Sequence, residues 1–431
     1  MNKGSFQLFI RMKNSRWGGM FTNRNSFKRS SFTKICMHVR NNIWKFGVYS
    51  FIDHIRLIWM IYTLYYLGLG FSFTNIGIHE MIFALVVVVL ELPTGAIADL
   101  IGRKKALIYG CVLNAVVFIS IGLMDLPIHF YIIAVVAGLA FSFISGADVA
   151  LLYDSVKKVG RKKEYKKIRG KINTFNQIAS IIGVFLGPII YLINPRLGFI
   201  ITGGIYLIAA IVISTMVEPY KQRKKLNIRT HWKQTVKGFN FTINHKQIMW
   251  LIAFFFLSGI GIEFFFDFWQ QPLLISNGFD VKFFGIILAG MMAIRGLISW
   301  FTHKIEEKIK EKTSLILILL SQAVVFVLFG LDNPLTLLIS FGIFYAMMAF
   351  KEIILEDYVN SHISSSNRAT VLSVKSLIYN LITAGLYVGL GQFMDLYPLN
   401  KVLIGMAVFI FVGTIILFLF KNGSVYNSST T

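Results

Sequence analysis

Long apolar segments of about 20 residues recur along nearly the whole chain, separated by short polar connections. A helix of about 20 residues crosses a hydrocarbon core of roughly 30 Å, and unbroken runs of this length are not typical of barrel strands. The pattern therefore predicts an all-α membrane protein with about twelve transmembrane helices. The first six are expected at 44–69, 74–97, 105–124, 128–153, 171–193 and 197–217, and the second six at 247–275, 281–302, 313–331, 334–358, 367–392 and 400–420.

These spans group into two bundles of six. We predict a basic, disordered tail over 1–40, a first bundle over 41–217, a cytoplasmic linker over 218–246, a second bundle over 247–420 and a short cytoplasmic tail over 421–431. The similar helix ends Leu151–Val156 and Ile354–Val359 occupy matching places in the two halves, which favours duplication and pseudo-symmetry between the bundles.

Charge distribution predicts the orientation of the helices. Most of the 43 Lys and Arg residues lie in connections on one side, as in Arg161-Lys162-Lys163. The connections on the other side are short and nearly uncharged. Because basic residues are retained on the cytoplasmic side, both termini are expected in the cytoplasm. The predicted location is the bacterial cell (inner) membrane, and the abundance of Ile, Lys, Asn and Phe fits an AT-rich bacterial genome.

Composition excludes several other classes of protein. Hydrophobic residues make up 55% of the chain and charged residues only 15%, which does not fit a soluble domain. The net charge of +23 does not indicate nucleic-acid binding, because the aromatic residues lie in the apolar segments and not among the basic runs. Two cysteines provide neither a disulfide framework nor a Cys-based metal site. We predict no cofactor, no metal, no ATP-binding loop and no enzymatic activity.

The loop between the second and third predicted helices carries a spaced motif, G-x-x-x-D-x-x-G-R-K, formed by Gly95, Asp99, Gly102, Arg103 and Lys104. Glycines permit close helix approach and a tight turn, while the carboxylate and guanidinium can pair at partly desolvated helix ends. This motif resembles the signature loop of the major facilitator superfamily. The resemblance implies two bundles around a central cavity, with Asp99 and Arg103 acting as a conformational latch.

A second motif lies in the fifth predicted helix, where Gly183, Gly187 and Pro188 form G-x-x-x-G-P. The glycines present a small-residue face, and the proline interrupts the backbone hydrogen bonds. The motif resembles the core of one found in drug:proton antiporters, although the glycine pair that follows in that family is absent. The alternative interpretation is ordinary helix packing.

Ionisable residues inside spanning helices are costly and are functional candidates. Asp53 and Arg56 in the first helix are spaced to pair on one helical face, which suits proton coupling. Glu263 and Asp267 share one face of the seventh helix and are candidates for binding a proton or a cation. The alternatives are a static ion pair in the first helix and a solvated position for the seventh-helix carboxylates.

Further charges are candidates for the cavity wall. They are Glu91, Asp148, Lys351 and Glu352. Glu80, near the outer end of the second helix, is expected at the membrane interface.

These features predict a monomeric secondary transporter whose partners are the lipid bilayer, a small-molecule substrate and protons. The favoured function is proton-coupled efflux of amphipathic drugs or metabolites by alternating access. The alternative is a proton-coupled importer of a sugar, a peptide or an organic acid.

Overall fold

The computed structural model describes residues 22–220, 240, 242–306, 309, 311–362 and 365–419. Within these ranges the chain is nearly all helical and contains no strand. The first half consists of α1 (Thr22–Asp53), α2 (Tyr62–Gly68), α3 (Phe73–Ile101), α4 (Arg103–Leu123), α5 (Pro127–Ile144), α6 (Ala147–Lys158), α7 (Tyr165–Ile193) and α8 (Leu197–Ser214). The second half consists of α9 (Lys246–Phe264), α10 (Gln270–Ser276), α11 (Phe284–Glu306), α12 (Glu311–Phe329), α13 (Pro334–His362), α14 (Ser365–Leu396) and α15 (Leu399–Leu419).

These helices form the membrane crossings expected from the apolar pattern. Ten segments of the described chain are long and apolar enough to span a membrane, and Thr313–Phe329 is a shorter apolar helix. The first crossing is interrupted and consists of α1, a short 3-10 turn at Leu57–Met60, and α2. Together they give the predicted twelve.

Three crossings depart from a regular α-helix inside the membrane region. The fourth is divided between α5 and α6 at Gly146, whose φ of 75° favours glycine. The seventh joins α9 to α10 through a π-helical segment at Phe265–Trp269, where the helix is locally widened by its longer hydrogen-bonded turns. The first is broken after Asp53. Breaks of this kind are tolerated where protein covers the freed backbone groups or where they line a cavity.

The N-terminal boundary differs from the prediction. Residues 1–40 are expected to be a disordered tail, whereas α1 already begins at Thr22. The sequence between Thr22 and Phe46 contains no glycine or proline, so nothing in it interrupts the helix before the membrane segment. Residues 1–21, most of the linker 218–246 and the tail 421–431 lie outside the described residues.

The two bundles meet along one end of the molecule. A Cβ added to Gly77 of α3 would lie 2.4 Å from the carbonyl oxygen of Tyr387 in α14, and one added to Gly391 would lie 2.5 Å from that of Phe73. The Asp395 carboxylate accepts hydrogen bonds from the backbone N–H groups of Phe73 (2.8 Å) and Thr74 (2.9 Å). These helices are therefore packed backbone to backbone across the two halves, and we call this region the closed end.

A further contact between the halves joins α7 to α11, where a Cβ on Gly285 would lie 2.9 Å from the carbonyl oxygen of Phe185. Gly95 near the other end of α3 has no atom within 4 Å of a Cβ position, and the same holds for Gly290 and Gly296 on α11. Toward that end, which carries the basic connections, the space around these helices opens.

Candidate substrate and proton site

Two acidic side chains of the seventh crossing lie in the interior between the bundles. Glu263 is in the last turn of α9, and Asp267 is in the π-helical segment. Tyr387 of α14 places its hydroxyl 2.8 Å from Glu263 Oε1 and 2.7 Å from Asp267 Oδ2. The hydroxyl of Tyr379, two turns earlier on α14, donates a hydrogen bond to Glu263.

The geometry around Tyr387 fits a shared proton. A phenol has a single proton to donate, so it can satisfy only one of two ionised carboxylates. The hydroxyl is also close to the other carboxyl group. That contact is favourable when the other carboxyl group holds a proton and donates it to the phenol oxygen. Glu263, Asp267 and Tyr387 thus form a group that can hold one proton between two acids.

A third carboxylate comes from the other bundle. Glu80 of α3 accepts a hydrogen bond of 2.6 Å from the Tyr62 hydroxyl, and His79 Nδ1 lies 3.2 Å from its Oε1. The side chains of His79 and Glu80 are only 9% and 15% exposed, so the interfacial position expected for Glu80 is wrong. His79 Nε2 is buried and has no hydrogen-bond partner among the described residues.

A cavity of about 310 Å³ lies mainly within the first bundle, and Phe266 and Asp267 of the second bundle form one side of it. Its wall includes Glu80 from the first half and Asp267 from the second. Trp59 and Phe266 stack across the same boundary, with ring centroids 5.5 Å apart and planes 7° from parallel. Asn114 adds a polar side chain. The cavity therefore combines acidic groups with flat aromatic walls.

The first crossing does not carry the ion pair predicted for it. Asp53 is the last residue of α1, and its carboxylate lies 3.6 Å from His54 Nδ1. The Arg56 guanidinium lies 4.4 Å from the centre of the Trp59 ring. The prediction assumed an unbroken helix, and because α1 ends between the two residues, they do not share a helical face.

The break in the first crossing is packed against the small-residue motif of α7. A Cβ on Gly183 would lie 2.3 Å from the backbone nitrogen of Arg56, and one on Gly187 would lie 2.0 Å from the carbonyl oxygen of Leu57. Pro188 is buried in the same helix. The glycines therefore allow the irregular backbone that positions Trp59 at the cavity, with the Arg56 guanidinium over its ring.

Two of the predicted cavity charges lie inside the protein. The Lys351 ammonium donates a hydrogen bond of 2.6 Å to the carbonyl oxygen of Ser258 and is an electrostatic neighbour of Glu263. Asp148 is half-buried in the first turn of α6, with His54 among its electrostatic neighbours.

The other two lie nearer the surface. The Glu352 side chain is 61% exposed and pairs with Arg295 at 2.5 Å. Glu91 is exposed and borders a separate cavity of about 290 Å³ beside Asp99 and Arg103. No group of three or more His, Cys, Asp or Glu in the described part of the chain could hold a metal ion.

The sequence profile of the Major Facilitator Superfamily matches residues 51–385. The chain belongs to this superfamily. It is 24% identical over 315 residues to an uncharacterized transporter, BU466, of Buchnera aphidicola, covering 70% of this chain and 76% of that one. It is 22% identical over 325 residues to the uncharacterized MFS-type transporter YxaM of Bacillus subtilis, covering 73% and 79%.

Solved structures share the superfamily fold. The crystal structure of a mutant of the nucleoside transporter NupG matches with a TM-score of 0.77 at 15% identity, covering 88% of this chain and all of that one. A bacterial homologue of the human lysosomal transporter Spinster, in an inward-facing and occupied conformation, matches with a TM-score of 0.62 at 16% identity, covering 89% and 96%. The family and the named relatives are transporters, and the protein is accordingly a transporter and not an enzyme.

The superfamily's signature loop is held by contacts within the first bundle. Arg103 forms a short ion pair with Asp154 and donates a hydrogen bond of 3.1 Å to the carbonyl oxygen of Ala150. Asp99 is 3.9 Å from Arg103, and its side chain is 49% exposed. In this conformation the main partner of Arg103 is thus Asp154, which the motif alone did not indicate.

Gly102 and Lys104 form the turn of this loop. Gly102 has a φ of 98°, and a Cβ there would meet the Glu218 carboxylate at 2.8 Å. The Lys104 backbone N–H donates a hydrogen bond of 2.9 Å to Glu218 Oε2. Burial raises the pKa of Glu218, and hydrogen bonds from the backbone N–H groups of Lys104 and Arg103 oppose that shift. At Gly95, near the open end, no atom lies within 4 Å of a Cβ position.

Sequence reasoning missed the tyrosines and the histidine of the site. Tyr379 and Tyr387 lie more than one hundred residues from the carboxylates that they contact. Their only signal was a spacing of about two helical turns, which places two hydroxyls on one face of the eleventh crossing. His79 and Glu80 are adjacent ionisable residues in an apolar segment, and that signal was available.

Proposed function

We propose that the protein is a proton-coupled secondary transporter that exports amphipathic compounds by alternating access. The observation that carries the proposal is the Tyr387 hydroxyl, which lies within hydrogen-bond distance of both Glu263 and Asp267 beside the central cavity. A carboxyl pair that holds one proton can release it when the surroundings change, which is the requirement for coupling.

Coupling to the motion of the bundles runs through the same tyrosine. The carbonyl oxygen of Tyr387 is packed against Gly77 of α3, while its hydroxyl binds the two carboxyl groups of the seventh crossing. Glu263, Asp267 and Tyr387 belong to the second bundle, whereas Glu80 belongs to the first. When α3 and α14 separate, Glu80 moves away from Asp267, and the electrostatic surroundings of the shared proton change as the closed end opens.

The basic connections support the placement of the open end in the cytoplasm. In this arrangement both termini are cytoplasmic, the protein is a monomer in the bacterial inner membrane, and the present conformation faces inward. Asp99 and Arg103 serve as a latch that changes partner as the cytoplasmic ends of the bundles close.

The cavity suits a flat, amphipathic substrate. The stacked rings of Trp59 and Phe266 offer an apolar surface, and Glu80 and Asp267 provide negative charge from opposite bundles. A substrate with an aromatic part and a basic group satisfies both features. Asp53 and Arg56 remain candidates for a second coupling step because they lie at the break that supports Trp59.

Import is the second candidate function. Structural neighbours include proteins named as nucleoside and peptide transporters. Proton uptake at Glu263 and Asp267 serves a symporter as well as an antiporter, so direction must be measured.

The test is substrate-evoked proton movement in inverted membrane vesicles, screened with a panel of dyes and drugs. Wild type should release protons from the vesicle lumen when an exported compound is added. Glu263→Gln and Asp267→Asn should abolish the response, whereas the exposed Glu352→Gln should retain it. Asp53→Asn tests the first crossing separately. Substrate accumulation only in right-side-out vesicles would replace export with import, and equal responses in all variants would exclude these carboxyls from coupling.

A further inference from the structure

A groove outside the transport pathway lies between α1 and α7, with a volume of about 610 Å³. Trp44, Val48 and Phe175 form part of its apolar wall, and Arg161, Lys167 and Lys171 form part of its charged end. Lys167 and Lys171 are one turn apart on the first two turns of α7, so both ammonium groups project from one face.

The groove faces away from the central cavity. Along the same face of α7, Phe175, Ile182 and Ile189 are all exposed and apolar, from the basic end nearly to the closed end. On another face, Asn173 and Gln177 are exposed near the basic end, but Val184 is fully buried farther along. A helix face that lines the cavity is exposed near the open end and buried at the closed end, as the face of Asn173, Gln177 and Val184 is. The apolar face that stays exposed along its length is therefore the one that meets lipid.

Charge is segregated within the groove. Glu164 is the carboxylate there, and it is paired with Arg161 through contacts of 2.6 and 3.0 Å. Lys167 and Lys171 have no hydrogen bond or ion pair with the side chains that the structure describes. Two cations thus remain for a ligand at one end, and an apolar channel runs from them into the membrane.

We propose that this groove binds one anionic phospholipid. Its phosphate group lies between Lys167 and Lys171, and an acyl chain follows Val48 and Phe175 toward the membrane interior. Trp44, whose side chain is 60% exposed, lies at the depth of the lipid glycerol, the usual position of an interfacial tryptophan. Basic pockets between transmembrane helices recognise anionic lipid headgroups in this way.

The test uses the full-length protein, purified and delipidated in a neutral detergent. Phosphatidylglycerol and phosphatidylcholine with identical acyl chains are titrated in mixed micelles, and the thermal unfolding midpoint and lipid adducts in native mass spectrometry are recorded. Phosphatidylglycerol should stabilise wild type at lower concentration. In Lys167→Gln/Lys171→Gln its affinity should fall about thirtyfold, since each cation near the surface contributes about 1 kcal/mol.

The matched control is Lys162→Gln/Lys166→Gln, which removes the same charge from residues that do not line the groove, and it should bind lipid like wild type. Gly47→Phe fills the apolar part without changing charge and should also lose the lipid. Unfolding midpoints without lipid identify any variant that fails to fold.

Equal responses to the two lipids would overturn the proposal, as would equal losses in the two lysine pairs. Stabilisation by inorganic phosphate alone, at the same concentration as the lipid, would identify a free-anion site instead.

Discussion

The packing of α3 against α14 predicts that a single methyl group can open the closed end. In Gly391→Ala the new Cβ would lie 2.5 Å from the carbonyl oxygen of Phe73 and 2.9 Å from the Cα of Thr74, whereas ordinary contact begins near 3.4 Å. All of these are backbone atoms, so rotation of a side chain cannot relieve the clash. The two helices must therefore separate at the closed end to relieve the clash.

Overpacking of this kind typically costs about 1–3 kcal/mol. The cost applies only to the conformation in which α3 and α14 touch. The equilibrium between the closed-end and opened-end conformations should therefore shift toward the second by roughly 5- to 150-fold.

The assay is double electron–electron resonance, in detergent and in nanodiscs, between spin labels at the exposed Leu126 and Leu331, which lie in connections at the closed end of the two bundles. Gly391→Ala should raise the population at long distance, and Gly389→Ala on the same helix should not, because a Cβ at Gly389 meets no atom within 4 Å. Identical distance distributions for both variants and wild type would refute the packing argument.

Three further predictions concern the site and its supports. Gly187→Ala should lower the thermal unfolding midpoint, because its Cβ would lie 2.0 Å from a backbone oxygen in the first crossing, while Gly204→Ala, in open space on α8, should leave it unchanged or raise it. Tyr387→Phe should keep substrate binding but reduce gradient-driven transport, since it removes the hydroxyl that both carboxyl groups share; wild-type transport rates would contradict this. Arg103→Gln and Asp154→Asn should each destabilise the protein, and a double-mutant cycle should show a coupling of about 0.5–3 kcal/mol; additive losses would show that the pair is not energetically linked.

The crossings could be predicted from the sequence because length and apolar composition are local properties. The break after Asp53 could not, because it depends on Gly183 and Gly187, which lie far along the chain and admit the irregular backbone. The spacing of Asp53 and Arg56 suggested a pair only on the assumption of a continuous helix. The three ionisable residues from Asp53 to Arg56 mark an unusual stretch of the first crossing. They do not indicate which neighbouring helix packs against it.

The sequence predicted the acidic residues of the site but not the side chains that contact them. Glu263 and Asp267 were identified by their cost inside a membrane. Their partners Tyr379 and Tyr387 come from α14, and spacing along one helix carries no information on which other helix faces it. The same holds for Arg103. The motif identifies this residue, but its ion-pair partner Asp154 comes from α6 and could not be predicted from the motif.

Two modes of transport, compared in proteoliposomes, show whether Glu263 and Asp267 carry the coupled proton. Asp267→Asn and Glu263→Gln are assayed for substrate counterflow without a gradient and for transport driven by an imposed proton gradient. We expect counterflow to persist in both variants while gradient-driven transport is lost, because the carboxyl pair carries the proton and the bundles still move. Gradient-driven transport that survives in both variants would show that neither carboxyl couples transport to the proton gradient.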